Sequence, residues 1–187
     1  MKPKALLLAP GAGADREHAT LRAIEAAVAP LVVERMDFPY RRAGKKAPDR
    51  APILLEAVRD EAAALVRRAR TRPPALVLGG RSMGGRICSM AVAEGLPAAG
   101  LVLLSYPLHP PGRADKLRIE HLPQLHVPCL FISGTKDQFG TREELEHHTA
   151  AIPGPVTHVW LEGQGHSPRN RDDEISSTVR DWIKTLR

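Results

Sequence analysis

In LVLGGRSMGGR, residues 76 to 86, a serine stands at the centre of Gly80-Arg81-Ser82-Met83-Gly84. Glycines are costly in backbone entropy, so such a run marks a sharp bend or a close approach of two chain segments. A phosphate-binding loop would need Lys followed by Ser or Thr after its second spaced glycine, and Arg86-Ile87 follow Gly84-Gly85 instead. A dinucleotide fingerprint needs a third spaced glycine, whereas Gly11-Ala12-Gly13-Ala14-Asp15 runs into Arg16. Glycines that merely let a helix pack closely on a strand are the plainer alternative. What remains is G-x-S-x-G between an apolar strand and a helix, a pattern suited to a nucleophile. The serine takes a strained turn that lifts its hydroxyl above the sheet, and glycine removes the side chains that would strike the neighbouring backbone. The helix amino terminus adds positive partial charge beside it.

A serine hydroxyl attacks only when a base takes its proton and an acid orients the base, in the chain order Ser, Asp or Glu, His. Asp137 in SGTKDQFG and His166 in EGQGHSPRN supply that order, each just after an apolar strand. Taken singly, Asp137 reads equally as a turn or cap residue and His166 as a surface histidine; their order and parallel placement reinforce each other. His158 falls within a strand, His147 and His148 on a helix, and His109, His121 and His126 in a broken stretch, with His18 early in the first helix. For the charge of a tetrahedral intermediate, the Met83 N–H is one donor expected from the elbow. The Ala12 N–H in PGAGAD is the leading second donor, with Gly11 and Gly13 letting amides face the substrate, although an ordinary tight turn explains these glycines too. Pro10 has no N–H to give.

The elements that must position these groups alternate. KALLLAP, LVVERMDF, ALVLGG, AAGLVLLSYPL, CLFISG and THVWLE read as strands. Between and after them, EHATLRAIEAAVAP, ILLEAVRDEAAALVRRARTR, MGGRICSMAVAEG, TREELEHHTAAI (with a Thr-x-x-Glu capping box) and ISSTVRDWIKTLR read as helices. Residues 39–52 form a proline- and charge-rich loop. Repeated β-α units with continuous apolar strands imply an α/β fold, a parallel sheet covered on both faces. Its 187 residues suit one domain, 1–187, with no internal repeat or linker.

Composition excludes other classes. The two cysteines, Cys88 and Cys129, lie in apolar segments, which argues against a disulfide framework and for a reducing cytoplasm. No segment reaches membrane-spanning length, and the apolar run near the amino terminus is too short for a signal peptide. No ligand spacing for a metal appears: the His147–His148 pair lacks partners. No cofactor is expected. The net charge of +6 could mark an anionic partner, but with 4% aromatics there is little to stack on bases, and a solvated basic surface is expected rather than nucleic-acid binding. YRRAGKKAPDR leaves the second strand at the edge where Ser82 lies. It reads either as a solvated loop or as an overhang whose Arg41 and Arg42 draw in acyl groups bearing a carboxylate or phosphate.

Together the Ser82 elbow, Asp137 and His166 make the chain resemble the α/β-hydrolases over nearly its whole length. It is most similar to the small dienelactone-hydrolase-like branch, in the group that includes a testis-expressed protein and a subunit of the non-specific-lethal acetyltransferase complex. The resemblance implies a minimal fold with six parallel strands in the order 2-1-3-4-5-6, lacking the first two strands of a full-length hydrolase. The stretch between Leu108 and Val127 is short and proline-broken, so no large lid is expected. Two departures stand out. Pro10-Gly11 replaces the usual His-Gly, and Ser82 stands where dienelactone hydrolases proper have cysteine, so the lactone substrate does not carry over. The expected activity is serine hydrolysis of a small ester, thioester or activated amide. The alternative, since some members of the group are regarded as scaffolds, is a non-catalytic interaction module.

Overall fold

Alternation of apolar side chains along buried strands sends successive residues to opposite faces of a sheet, so each strand must be covered twice. The computed structural model describes residues 2–186 and shows this arrangement. The strands are β1 (Ala5–Ala9), β2 (Val32–Arg35), β3 (Leu76–Arg81), β4 (Gly100–Leu104), β5 (Cys129–Gly134) and β6 (Val156–Leu161). They form one parallel six-stranded sheet in the order β2-β1-β3-β4-β5-β6. The inner strands β1, β4 and β5 are buried throughout, whereas the edge strands β2 and β6 are mostly half-buried.

Leu6, Leu8, Val77, Val102, Leu130 and Ile132 face one side. There they meet α1 (Ala19–Ala27) and α6 (Asp172–Thr185) through Leu21, Ile24, Val179 and Ile183. Leu7, Leu78, Leu101, Leu103 and Phe131 face the other side. They pack there on α3 (Ala51–Arg68), through Leu54, Val58 and Leu65, and on α4 (Met83–Ala93), through Ile87 and Ala91. The remaining helices are the single turn α2 (Pro39–Arg42) and α5 (Arg142–Thr149). The Thr141–Glu144 capping box opens α5. Among the described residues, no helix is long and apolar enough to cross a membrane.

Helix ends shift by a few residues from the sequence reading, and the starts of three helices show why. The charged loop after β2 contains α2, with Pro39 in its first turn. Pro52 likewise lies in the first turn of α3, which starts at Ala51 rather than after the proline. In both cases proline sits where a helix amide has no internal partner, so it starts a helix instead of breaking one. Helix α6 begins at Asp172, before the apolar run, because Asp172, Asp173 and Glu174 favour the positive end of the helix dipole. Between β4 and β5, the connection holds only the short turn Leu122–Gln124.

The order of the strands brings β1 against β3, and the contact is close. A Cβ on Gly84 would lie 2.3 Å from the Ala9 carbonyl oxygen and 2.5 Å from that of Pro10, both unyielding backbone. A Cβ on Gly13 would meet nothing within 4 Å. Gly84→Ala is therefore expected to lower unfolding free energy by about 3 kcal/mol, the upper range for overpacking a tight interior. Gly13→Ala should stay within about 0.5 kcal/mol of the parent. Denaturant unfolding of the two variants checks the difference.

Candidate active site

Strand β3 ends at Arg81 and α4 begins at Met83, leaving Ser82 alone at the corner. Its backbone is held at φ 50°, a region costing a non-glycine residue on the order of 1–3 kcal/mol. Two hydrogen bonds impose it: the Ser82 N–H donates to the Leu104 carbonyl (2.8 Å), and the Ser82 carbonyl accepts from the Arg86 N–H (3.1 Å). The hydroxyl Oγ thereby comes to 2.8 Å from His166 Nε2. His166 Nδ1 lies 2.8 and 3.0 Å from the two carboxylate oxygens of Asp137. A carboxylate can only accept, so Nδ1 carries the hydrogen and Nε2 is left to accept the serine proton. Asp137 is 3% exposed, and its Oδ1 also accepts the Phe139 N–H at 2.9 Å.

Asp137 and His166 come from separate loops stitched to one another. The Lys136 N–H donates to the Gln164 carbonyl (2.8 Å), the Thr135 N–H to that of Leu161 (3.2 Å), and the Gly163 N–H to Thr135 Oγ1 (2.9 Å). A Cβ on Gly134 would stand 2.1 Å from the Gln164 carbonyl oxygen, so only glycine allows the loops to cross this closely.

Two further side chains hold His166, one at its ring and one at its backbone. The Phe139 ring stacks on it with centroids 3.8 Å apart. Arg81 Nη2 donates to the His166 carbonyl (2.9 Å) and to Ser167 Oγ (2.6 Å). Burial lowers the Arg81 pKa, and the nearby Asp137 charge works in the opposite direction. The sequence pattern had singled out neither residue: Arg81 occupies an unrestricted position of the motif, and the only local sign for Phe139 is its place two residues after Asp137, where an Asx turn closes.

Ser82 opens into a cavity of about 460 Å³ lined by Gly11, Ala12, Gly13, Met83, Phe139 and His166, among others. The amides of Met83 and Ala12 donate to no other group among the described residues. Tyr40 anchors the loop at the following peptide, its hydroxyl donating to the Ala12 carbonyl at 2.8 Å. Gly11 is close enough that an added Cβ would lie 3.6 Å from Ser82 Cβ.

Arg41 and Arg42 do not line this cavity. Acids satisfy them elsewhere: Arg41 pairs with Asp15 at 3.7 Å and Arg42 with Glu61. The arginines that do line it are Arg81, Arg86 and Arg118.

Several other candidate nucleophiles and bases are occupied or held neutral by burial. Burial pushes the Cys88 and Cys129 thiols up to about 12, leaving no thiolate to compete. His158 stacks between Phe131 and Trp160, and its Nε2 lies 2.9 Å from Thr149 Oγ1. His18 caps α1 by accepting the Thr20 N–H. His121 Nε2 lies 2.8 Å from Ser89 Oγ, and that hydroxyl donates to the Arg86 carbonyl, also at 2.8 Å. The single hydroxyl hydrogen is thus spent, so Nε2–H of a neutral His121 donates to Ser89.

A strand–turn–helix corner carrying a serine, beside β1 and above a parallel sheet of this order, defines an α/β-hydrolase fold. Residues 2–185 match the family described as "Alpha/beta hydrolase domain", and the chain belongs to it. Its fold is similar to a putative hydrolase of the alpha/beta superfamily from Xanthomonas campestris pv. campestris, with TM-score 0.73 at 19% identity over 98% of this chain and 99% of that one. It is also similar to TT1662 from Thermus thermophilus, with TM-score 0.71 at 21% identity over 100% and 91% of the two chains. The esterase domain of a Rhodothermus marinus protein is similar with TM-score 0.73 at 15% identity over 100% and 89%.

His121 gives this region a pH signature. Burial, reinforced by the positive charge of Arg86, lowers its pKa from 6.5 to about 4. As pH falls, the unfolded chain takes up this proton first, so the stability His121 contributes is present above about 6.5 and lost towards 4. A shift of that size corresponds to roughly 3 kcal/mol. His121→Gln keeps an N–H donor and does not titrate. Thermal melts from pH 7 to 4.5 should therefore show a smaller loss of Tm in His121→Gln than in the parent.

Proposed function

We propose that the protein is a serine hydrolase acting on small esters, thioesters or activated amides. The reading rests on the continuous chain of contacts from Ser82 Oγ to His166 Nε2 (2.8 Å) and from His166 Nδ1 to Asp137 (2.8 Å). In this reading Ser82 attacks the substrate carbonyl while His166 Nε2 takes the hydroxyl proton. Asp137 holds the imidazole in the required tautomer and offsets the charge of the imidazolium. The oxygen that gains negative charge is met by the Met83 and Ala12 N–H groups, which have no competing acceptor. The imidazolium then protonates the leaving group, giving an acyl-Ser82. Water, deprotonated by His166, hydrolyses this acyl ester and restores the serine.

Burial supports the assignment. Asp137 is sequestered beneath Phe139 and His166, where its charge is screened less than at the surface and acts on the imidazole. The connection between β4 and β5 adds no helical lid, so the cavity admits compact substrates directly from solvent. Membership of the small dienelactone-hydrolase-like branch belongs to the same proposal, with Ser82 in the nucleophile position and the natural substrate undetermined by that kinship.

Purified protein should turn over short p-nitrophenyl esters and be labelled at Ser82 by a fluorophosphonate. Ser82→Ala and His166→Ala should each lower kcat by on the order of 10⁶, and Asp137→Asn by about 10⁴, because the base survives in a poorer orientation. Circular dichroism establishes that each variant is folded. A parent protein that neither turns over such esters nor labels at Ser82 would leave the non-catalytic scaffold as the better description.

A further inference from the structure

We infer that Arg86 and Arg118 form an anion-binding subsite in the Ser82 cavity, and that the substrate carries a carboxylate or phosphate held by these two guanidinium groups. The substrate part of this inference rests on the hydrolase reading; the anion site does not.

Both arginines line the cavity that contains Ser82, and both are partly buried. Neither has a carboxylate within ion-pairing distance among the described residues. Among the described residues, the only side-chain hydrogen bond of Arg86 is a 3.4 Å contact with the Met90 sulfur, a weak acceptor, and the guanidinium of Arg118 has none. The third arginine on the lining, Arg81, is also without an ion pair among the described residues, but it spends its guanidinium on the His166 carbonyl and Ser167 Oγ. The remaining described arginines either pair with acids or, like Arg22, Arg67 and Arg169, are solvent-exposed. Removing a cation from water without a partner is unfavourable, and placing a second cation near it is more so. The like charges feel one another: Arg118 has its pKa lowered first by burial and then by Arg86.

The fold nevertheless fixes both. Ser89 Oγ donates to the Arg86 carbonyl at 2.8 Å, and Tyr106 Oη donates to the Arg118 carbonyl at 2.8 Å. His121 joins them, with Nε2 at 2.8 Å from Ser89 Oγ and 3.5 Å from Tyr106 Oη. A buried polar network thus ties together the two segments that bear the arginines, and a neutral His121 adds no third cation to it. The guanidinium groups are left with their forked donors unspent, the arrangement that pairs bidentately with a compact oxyanion. Asp49 is the one carboxylate lining the cavity, and among the described residues it pairs with neither arginine.

Two ester pairs test the inference. Mono-p-nitrophenyl glutarate against p-nitrophenyl pentanoate places the charge on the acyl group. 4-(Butyryloxy)benzoate against phenyl butyrate places it on the leaving group. In the parent, at least one charged ester should exceed its neutral partner by about tenfold or more in kcat/KM, and the preference should shrink with salt. In Arg86→Gln/Arg118→Gln that ratio should fall towards 1, and Arg86→Lys/Arg118→Lys should give an intermediate ratio. Arg41→Ala/Arg42→Ala should keep the parent's ratio. Calorimetric titration of Ser82→Ala with glutarate and with inorganic phosphate supplies a readout without turnover and distinguishes a carboxylate from a phosphate site. Esters hydrolysed with no charge preference in either pair, or with a preference that survives in the folded glutamine variant, would overturn the inference and leave the hydrolase reading standing. If no ester is hydrolysed, the titration decides. Binding that Arg86→Gln/Arg118→Gln abolishes keeps the anion site and removes the hydrolase; no binding removes both. Should the glutamine pair fail to fold, the lysine pair and Arg118→Gln alone carry the same comparison.

Discussion

The Ala9 carbonyl oxygen is the point on which the site is built. A Cβ on Gly80 would come within 2.1 Å of it and one on Gly84 within 2.3 Å, so the two glycines of the serine motif both vacate space for one backbone oxygen of β1. This contact lets β3 and the start of α4 press against the end of β1. It places the loop after β1, with Ala12, on the same side of the sheet as Met83. Ser82 sits at the corner between the glycines and cannot relax, because its own N–H and carbonyl are committed to Leu104 and Arg86. The positive φ of Ser82 is thus over-determined by its neighbours, the condition under which backbone strain persists at a functional site.

The imidazole is positioned independently, from the other half of the sheet. Strands β5 and β6 are adjacent and parallel, so the loops leaving their carboxyl ends emerge side by side. Their mutual hydrogen bonds, and the close approach at Gly134, fix the Asp137–His166 pair before either touches Ser82. Arg81 then links the halves, since it belongs to β3 while its guanidinium holds the His166 loop. One side chain beside the serine therefore couples the elbow to the loop that carries the imidazole. Its own charge is kept in a partly buried place where Asp137 lies nearby.

Much of this was legible in the sequence because it depends on local chemistry. Continuous apolar strands, the glycine pattern around Ser82 and the order of Asp137 and His166 each reflect a constraint acting within a few residues or within one β-α unit. The strand order followed from combining those units with the fold they resemble. Proline was misleading at positions 39 and 52, because its role depends on whether it enters a helix at the first turn or interrupts one, and that is settled by how α2 and α3 pack. The loop of Arg41 and Arg42 has the charge expected of an anion-attracting overhang, yet these two arginines stand outside the cavity and pair with Asp15 and Glu61, distant in the chain. Arg86 and Arg118 carry no signature in sequence. Arg86 reads as an ordinary helix residue and Arg118 as part of an irregular connection, and only the Ser89–His121–Tyr106 network brings their segments together.

The distribution of charge follows from the same contrast. Most ion pairs of the chain lie at the surface, among them Arg59–Glu94, Arg142–Glu146 and Lys184–Asp181, where each adds little because water screens it. The formal excess of positive charge is therefore spread over a solvated exterior at small energetic consequence. Inside the cavity the balance is reversed. Each unpaired guanidinium there loses hydration, and the neighbouring like charge adds repulsion that solvent screens less well. A pair of alanines or leucines would pack there without that penalty. The interactions that could offset it within the protein are directed instead at the arginine backbones, while both residues line the cavity that contains Ser82. Under the inferred anion site, an arrangement that is unfavourable in the isolated chain would become favourable when an oxyanion enters, and the same feature that weakens the fold locally would provide differential affinity for charged over neutral molecules.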